Sequence, residues 1–214
     1  MMQSKNQIAQ TASLETNDPK GTLEGQKMNE HLQQSLDATR RILCAANFAA
    51  QKHAGQRRKG HAGEPYINHL IEVADLIAQG ISQPDTNLVM AGLLHDTIED
   101  TQVTAQDLEQ RFGKDVACLV LEATDDKTLP KETRKALQIE TAPHKSPRAQ
   151  VLKLADKISN VRSLVSSPPP EWSQERKRQY GEWAARVVAG FTNPNPLLLA
   201  EFEKAHAELM HLNA

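Results

Sequence analysis

Cysteine, aromatic residues and long apolar runs are all scarce in this chain of 214 residues. Two cysteines, Cys44 and Cys118, cannot build a disulfide framework, and their separation gives no CxxC zinc pattern; both are expected as small buried apolar side chains. Aromatics make up 4% of the residues, which leaves Leu, Ile, Val and Ala to form the core and predicts packed helices rather than sheets. The longest apolar stretch, Leu88–Leu94, is seven residues and contains Gly92, whereas a bilayer span needs about 20. No apolar h-region follows Lys5, so no secretory signal is read and a cytoplasmic protein without membrane contact is expected. An excess of one charge is also missing. With 25 Lys+Arg against 27 Asp+Glu the formal net charge is −2, which argues against a nucleic-acid binder but leaves local basic clusters able to hold a small phosphorylated molecule.

What is present is helical periodicity. Residues 1–34 have no aromatic, no Val and nine apolar residues, and are expected to be a flexible tail. From residue 35 to 214 the chain reads as one all-α domain. Leu36, Ile42, Leu43, Ala46 and Ala50 mark a first helix; Ile67, Leu70, Ile71, Ala74 and Ile77 a second, from about Tyr66 to Gln79. A third opens at Pro84 and carries Leu88, Ala91, Leu94 and Ile98 as its buried stripe. Thr104 and Asp107 form a capping signal for a short helix ending near Gly113, and Pro130 is expected to open a helix reaching Ala142. Val151, Leu154, Ala155, Ile158, Val161 and Val165 mark a long helix from Pro147 that Pro168-Pro169-Pro170 ends. Two further helices, about Ser173–Phe191 and Pro196–Leu212, close the chain.

The chemistry concentrates in Gly92–Thr101. On an uninterrupted helix His95 and Glu99 are four apart, as are Asp96 and Asp100, so four ionisable groups share adjacent rows while Leu94 and Ile98 face the core. A His-Asp doublet offers one nitrogen and one anionic oxygen to a divalent metal; further ligands must come from other helices. His69, in the first turn of the second helix, and Asp156, on a face shared with Lys153 and Asn160, complete a candidate set of two imidazoles and two carboxylates. Such a mixed set suits Mn²⁺, Fe²⁺ or Zn²⁺ better than Ca²⁺. The other histidines, His31, His53, His61, His144, His206 and His211, have no carboxylate partner at ligand spacing or lie outside this set, and are expected to be structural or exposed.

These residues carry a resemblance. His69, His95-Asp96 and Asp156 match the HD-domain metal-dependent phosphohydrolases. Arg57-Arg58-Lys59, Pro65–His69, Leu94–Thr101, Thr124–Lys131, Lys153–Lys157 and Trp172-Ser173, six motifs in order, resemble the hydrolase domain of RelA/SpoT proteins. The likeness is greatest to the single-domain small alarmone hydrolases, the branch that includes the metazoan SpoT homologue, from about residue 35 to 205. It implies an all-α Mn²⁺-dependent enzyme that removes the 3′-diphosphate of guanosine tetraphosphate or pentaphosphate, giving GDP or GTP and pyrophosphate, with no synthetase activity. In that reading His69, His95, Asp96 and Asp156 hold the metal. Glu99 and Asp100 orient the attacking water or accept its proton, or else only support the site through hydrogen bonds. Arg58 and Lys59 flank the nucleotide, Lys131 and Arg176 contact phosphates, Asn160 lies near the ribose and its 3′-phosphate, and Tyr180 helps wall the pocket. Arg57, Lys127, Arg134 and Lys135 are left as ordinary solvated cations. The resemblance leaves the substrate open among guanosine alarmones, their adenosine analogues and the 2′-phosphate of NADPH, and a non-catalytic nucleotide sensor is the reading from another class.

Overall fold

A computed structural model describes residues 19–213. Among the described residues the regular structure is ten α-helices and one short 3₁₀ turn, with a lone β-bridge between Arg57 and Pro65, so the fold is all-α as expected. The described residues divide into two compact units, the first ending at Asp37 and the second beginning at Ala38. Helix α1 (Pro19–Lys52) begins well before Ser35, so residues 19–34 are helical where a flexible tail was expected; residues 1–18 of that tail lie outside the described residues. Among the described residues no helix is long and apolar enough to cross a membrane.

In the second unit the remaining helices are α2 (Ile67–Gly80), α3 (Thr86–Leu94), α4 (Thr97–Asp100), α5 (Ala105–Phe112) and α6 (Lys114–Ala123). They continue with α7 (Lys131–Thr141), α8 (Pro147–Ser166), α9 (Gln174–Ala189) and α10 (Pro196–Leu212). Start signals act as their chemistry requires. Thr104 and Asp107 close a reciprocal capping box on α5, Ser146 caps α8 ahead of Pro147, and Ser173 caps α9. Helix α8 is the centre of the unit: Leu152, Leu154, Ala155, Ile158 and Val161 are fully buried and it packs against α2, α3, α6, α9 and α10. From Leu152 to Ser159 every residue of α8 is buried, so the polar side chains of that stretch, Lys153, Asp156, Lys157 and Ser159, must find partners inside.

Two burial expectations fail. Cys44 and Cys118 are exposed. Each sits one position off a buried row, Ala45, Phe48 and Ala49 on α1 and Val116, Ala117, Leu119 and Val120 on α6, and a one-residue step turns a side chain by about 100°. The same phase error affects α1, where Leu36 and Leu43 are 45% and 63% exposed while Ala45 and Ala49 are buried, and α2, where Ile71 faces out.

One glycine sets the distance between the helices that carry the two histidines. A Cβ on Gly92 of α3 would lie 2.8 Å from Ile77 Cδ1 and 3.1 Å from Ala74 Cα on α2, so only a residue without a side chain permits this approach. Gly92→Val is expected to destabilise the protein by roughly 1–3 kcal/mol through overpacking, read as a lower urea midpoint at unchanged slope. An unchanged midpoint would show that α2 and α3 separate at no cost.

Candidate metal centre and adjoining cleft

The local chain explains why His95 and Asp96 project from one point. The expected continuous helix is interrupted at this doublet, α3 ending at Leu94 and α4 starting at Thr97. Asp96 stands at φ −96°, ψ 0°, and two side chains bond the carbonyls of the preceding turn: His95 Nδ1 donates to Gly92 O at 2.8 Å and Thr97 Oγ1 to Leu94 O at 2.6 Å. The bond from Asp100 N to Asp96 O, 2.8 Å, survives, so Glu99 and Asp100 still follow about one turn later.

Three helical segments bring the candidate ligands together. His69 lies in the first turn of α2, His95-Asp96 in the α3–α4 break, and Asp156 midway along α8. Ligand atoms of His69, His95 and Asp156 all lie within 4.8 Å of one another. Asp96 Oδ2 joins them, 3.1 Å from His95 Nε2 and 3.7 Å from His69 Nε2, while Asp156 Oδ1 is 3.8 Å and 3.4 Å from the same nitrogens. The donor set fits a divalent transition metal on evidence internal to the site. His95 is buried with its Nδ1 committed to a carbonyl, so the neutral ring presents its lone pair on Nε2, and that buried nitrogen has no hydrogen-bond partner among the described residues. Burial opposes a charge on His95, but the Asp96 and Asp156 carboxylates outweigh it and push the imidazole up to about 9; burial holds His69 down. Asp96 and Asp156 stay below the usual carboxylate range despite burial, Asp96 chiefly through His95 and Asp156 chiefly through Lys157. The carboxylates thus draw positive charge to one point, where a metal cation in place of the proton would satisfy both them and the Nε2 lone pair.

Around this point several groups act that the sequence reading left aside. Tyr66 donates to Asp96 Oδ2 at 2.6 Å, and burial with the nearby carboxylates pushes its phenol up, keeping it a neutral donor. Lys157 donates to Asp156 Oδ2 at 3.0 Å and lies over the Trp183 ring, its ammonium 4.8 Å from the ring centroid. Lys127 and Arg134 are not ordinary solvated cations: Lys127 ion-pairs closely with Asp100 and is 3.9 Å from Glu99, and Arg134 Nη1 is 3.6 Å from Glu99 Oε1. Gln56 donates to the carbonyl of Asp100 at 2.8 Å. Burial, then Asp96 and Asp125, raise the Glu99 carboxyl above its ordinary value.

A cleft of about 240 Å³ adjoins the cluster, lined by Arg58, Lys59, Tyr66, Asn160, Trp172 and Tyr180 among others. Its loop wall is pinned to the end of α8: Ala62 N donates to Ser167 Oγ at 3.1 Å and His61 N to Pro168 O at 3.2 Å, and a Cβ on Gly60 would collide with Ser167 O. Asn160 joins cleft to cluster, accepting from Arg58 Nη1 at 3.1 Å and donating to Asp156 Oδ1 at 2.5 Å, which fixes its amide orientation. Tyr180 is raised by burial and by Asp156. Lys131 and Arg176 do not line the cleft. Lys131 is exposed at the start of α7; Arg176 stacks on Trp172 at 4.3 Å, and both cations depress Lys135, whose shift is led by its burial, so the three form one positive cluster where α7 and α9 meet.

The HD domain family pattern matches residues 45–193. The guanosine-3′,5′-bis(diphosphate) 3′-pyrophosphohydrolase MESH1 of Xenopus tropicalis is 50% identical over 157 residues, 73% of this chain and 88% of that protein. Its Homo sapiens counterpart is 51% identical over 154 residues, 72% and 86% of the two chains. A solved structure described as a metazoan ortholog of SpoT that hydrolyses ppGpp superposes with a TM-score of 0.75 at 42% identity, covering 78% of this chain and 94% of that one.

Proposed function

The chain belongs to the HD domain family, and on that premise we propose that it is a divalent-metal-dependent guanosine-3′,5′-bis(diphosphate) 3′-pyrophosphohydrolase. The observation that carries this reading is the convergence of His69, His95, Asp96 and Asp156 on one buried point beside a cationic, aromatic-walled cleft, with two further carboxylates a turn away. These four residues would hold one cation, Mn²⁺ in our reading. When bound, such an ion supplies Lewis acidity to a phosphoryl oxygen and makes a water easier to deprotonate.

The chain's own groups would do the rest. Glu99, raised but held by Arg134, is suited to accept a proton from water, and Asp100, tied to Lys127 and Gln56, to orient it. Arg58 and Lys59 present cations at the cleft, where the Arg58 plane also serves a purine face. Tyr180 and Trp172 wall the cleft, and Asn160 is positioned for the ribose beside its 3′-phosphate. Lys131 and Arg176 would meet the outlying phosphate charge. As the water oxygen bonds to phosphorus, the bond from phosphorus to the 3′-oxygen breaks and that oxygen takes a proton, releasing GDP or GTP and pyrophosphate.

The test is turnover of guanosine tetraphosphate by chelator-stripped protein with and without Mn²⁺, products resolved by anion exchange. The adenosine analogue and NADPH are run in parallel. Mn²⁺-dependent release of GDP and pyrophosphate is expected. Turnover of another substrate alone would overturn the choice of nucleotide, and no turnover of any would overturn the enzymatic reading.

A further inference from the structure

His69 does not end at the cluster. Its Nδ1 lies 2.8 Å from Ser159 Oγ, and Ser159 Oγ lies 2.6 Å from Glu72 Oε2. Ser159 is fully buried on α8, one residue before Asn160, and Glu72 stands on α2 one turn after His69. A carboxylate only accepts, so the single hydroxyl proton goes to Glu72 and the oxygen turns a lone pair to the imidazole. His69 must then donate from Nδ1, and a neutral ring with its proton there carries its lone pair on Nε2, the nitrogen that faces Asp96 and Asp156. Glu72 is itself anchored: Arg162 Nη1 is 3.4 Å from Oε1, and Arg162 Nη2 reaches Glu201 on α10 at 2.5 Å.

We infer that Ser159 and Glu72 are positioning residues acting in series, setting the tautomer and ring orientation of His69 and so the affinity of the site for its metal. The inference rests on the reading of His69 as a ligand. It differs from the device at His95, where a main-chain carbonyl does the same work and no side chain can be removed. A carboxylate behind the hydroxyl also makes the His69 ring a stronger donor of electron density than a neutral acceptor would.

Mn²⁺ binding to the stripped full-length protein, measured by chelator competition, tests it. Ser159→Ala is expected to weaken binding about 10–100-fold, the range for partners of metal-bound histidines, and Glu72→Gln by a smaller factor because it keeps an acceptor but loses the charge. Since Glu72 acts through Ser159, the double variant should bind Mn²⁺ no more weakly than Ser159→Ala alone. In Zn²⁺-loaded protein, the hydrogen-bonded Nδ1 proton of His69 should give a low-field NMR resonance that Ser159→Ala shifts or removes. Full additivity, unchanged affinities, or an unmoved resonance would overturn the series arrangement while leaving the metal site standing. Absence of Mn²⁺ binding in the unaltered protein would instead overturn the ligand reading and this inference with it. Glu72 is partly exposed, so Glu72→Gln serves as the variant that folds if Ser159→Ala does not.

Discussion

Asp96→Ala protein is expected to bind no Mn²⁺ at concentrations that saturate the unaltered chain, and to lose turnover by about 10³-fold or more. The magnitude follows from what the carboxylate supplies. Asp96 Oδ2 is the anionic oxygen nearest the bare His95 nitrogen, at 3.1 Å, and without it the cluster retains a single carboxylate, Asp156. Metal catalysis contributes several kcal/mol of charge stabilisation, and each ~1.4 kcal/mol is tenfold in rate. The alanine also leaves the Tyr66 hydroxyl without its acceptor inside the protein, so loss of function through misfolding has to be separated. Asp96→Asn keeps the shape and an oxygen for Tyr66 while removing the charge, and it should fail in the same way with a melting curve close to the original. If the asparagine variant bound Mn²⁺ within a few-fold of the unaltered protein and turned over at full rate, Asp96 would not be a ligand.

The doublet and its two distant companions could be singled out as candidates because their residue types are informative at their spacing. A His-Asp pair directly after the apolar run Leu88–Leu94, a histidine opening an amphipathic helix and an aspartate among the regularly spaced Val151, Leu154, Ala155, Ile158 and Val161 each have few inexpensive uses in a core. What could not be read is how those helices end and turn. A periodicity of three and four runs through Leu88, Ala91, Leu94 and Ile98, so the sequence presents one helix; the break is made by the His95 and Thr97 side chains bonding backward. Burial phase was unreadable for a related reason. On α1 the buried row is small, Ala45 and Ala49 with Phe48, and the larger Leu43 beside it faces out, against the ordering that hydrophobicity alone gives. The partners of the charged groups were hidden too, since they depend on which loop returns to which helix. Lys127 and Arg134 look like surface cations until the segment after α6 folds back over Glu99 and Asp100. Ser159 carries no signal of its own: a serine in a helix becomes informative only when a histidine and a glutamate from α2 meet at its oxygen.

Glu99→Gln protein is expected to keep Mn²⁺ and nucleotide binding within a few-fold and to lose turnover by about 10²–10⁴-fold, the contribution typical of a positioned general base. The split between kcat and KM is the diagnostic feature, because an interaction made only as the proton moves lowers kcat and kcat/KM equally and leaves KM alone. Glutamine preserves the acceptor toward Asp125 N, 3.3 Å away, and its neutral amide places no unpaired charge beside Arg134 beyond the guanidinium itself. The pH profile gives an independent reading. Burial and the carboxylates of Asp96 and Asp125 raise Glu99, so it is protonated, and unable to accept a proton, at a pH where an ordinary carboxylate is still charged. A cation held by Asp96 opposes that rise, so the expectation for the unaltered enzyme is an acid limb where Glu99 takes up its proton, at a position set by the loaded site. With Glu99→Gln the residual activity should lose that limb, since amides do not titrate. Retention of the same acid limb in the variant would assign the base to another group, with Asp100 the next to replace. Loss of Mn²⁺ or nucleotide binding alongside the loss of rate would instead make Glu99 part of the binding framework, and the proton would have to leave the water by another route.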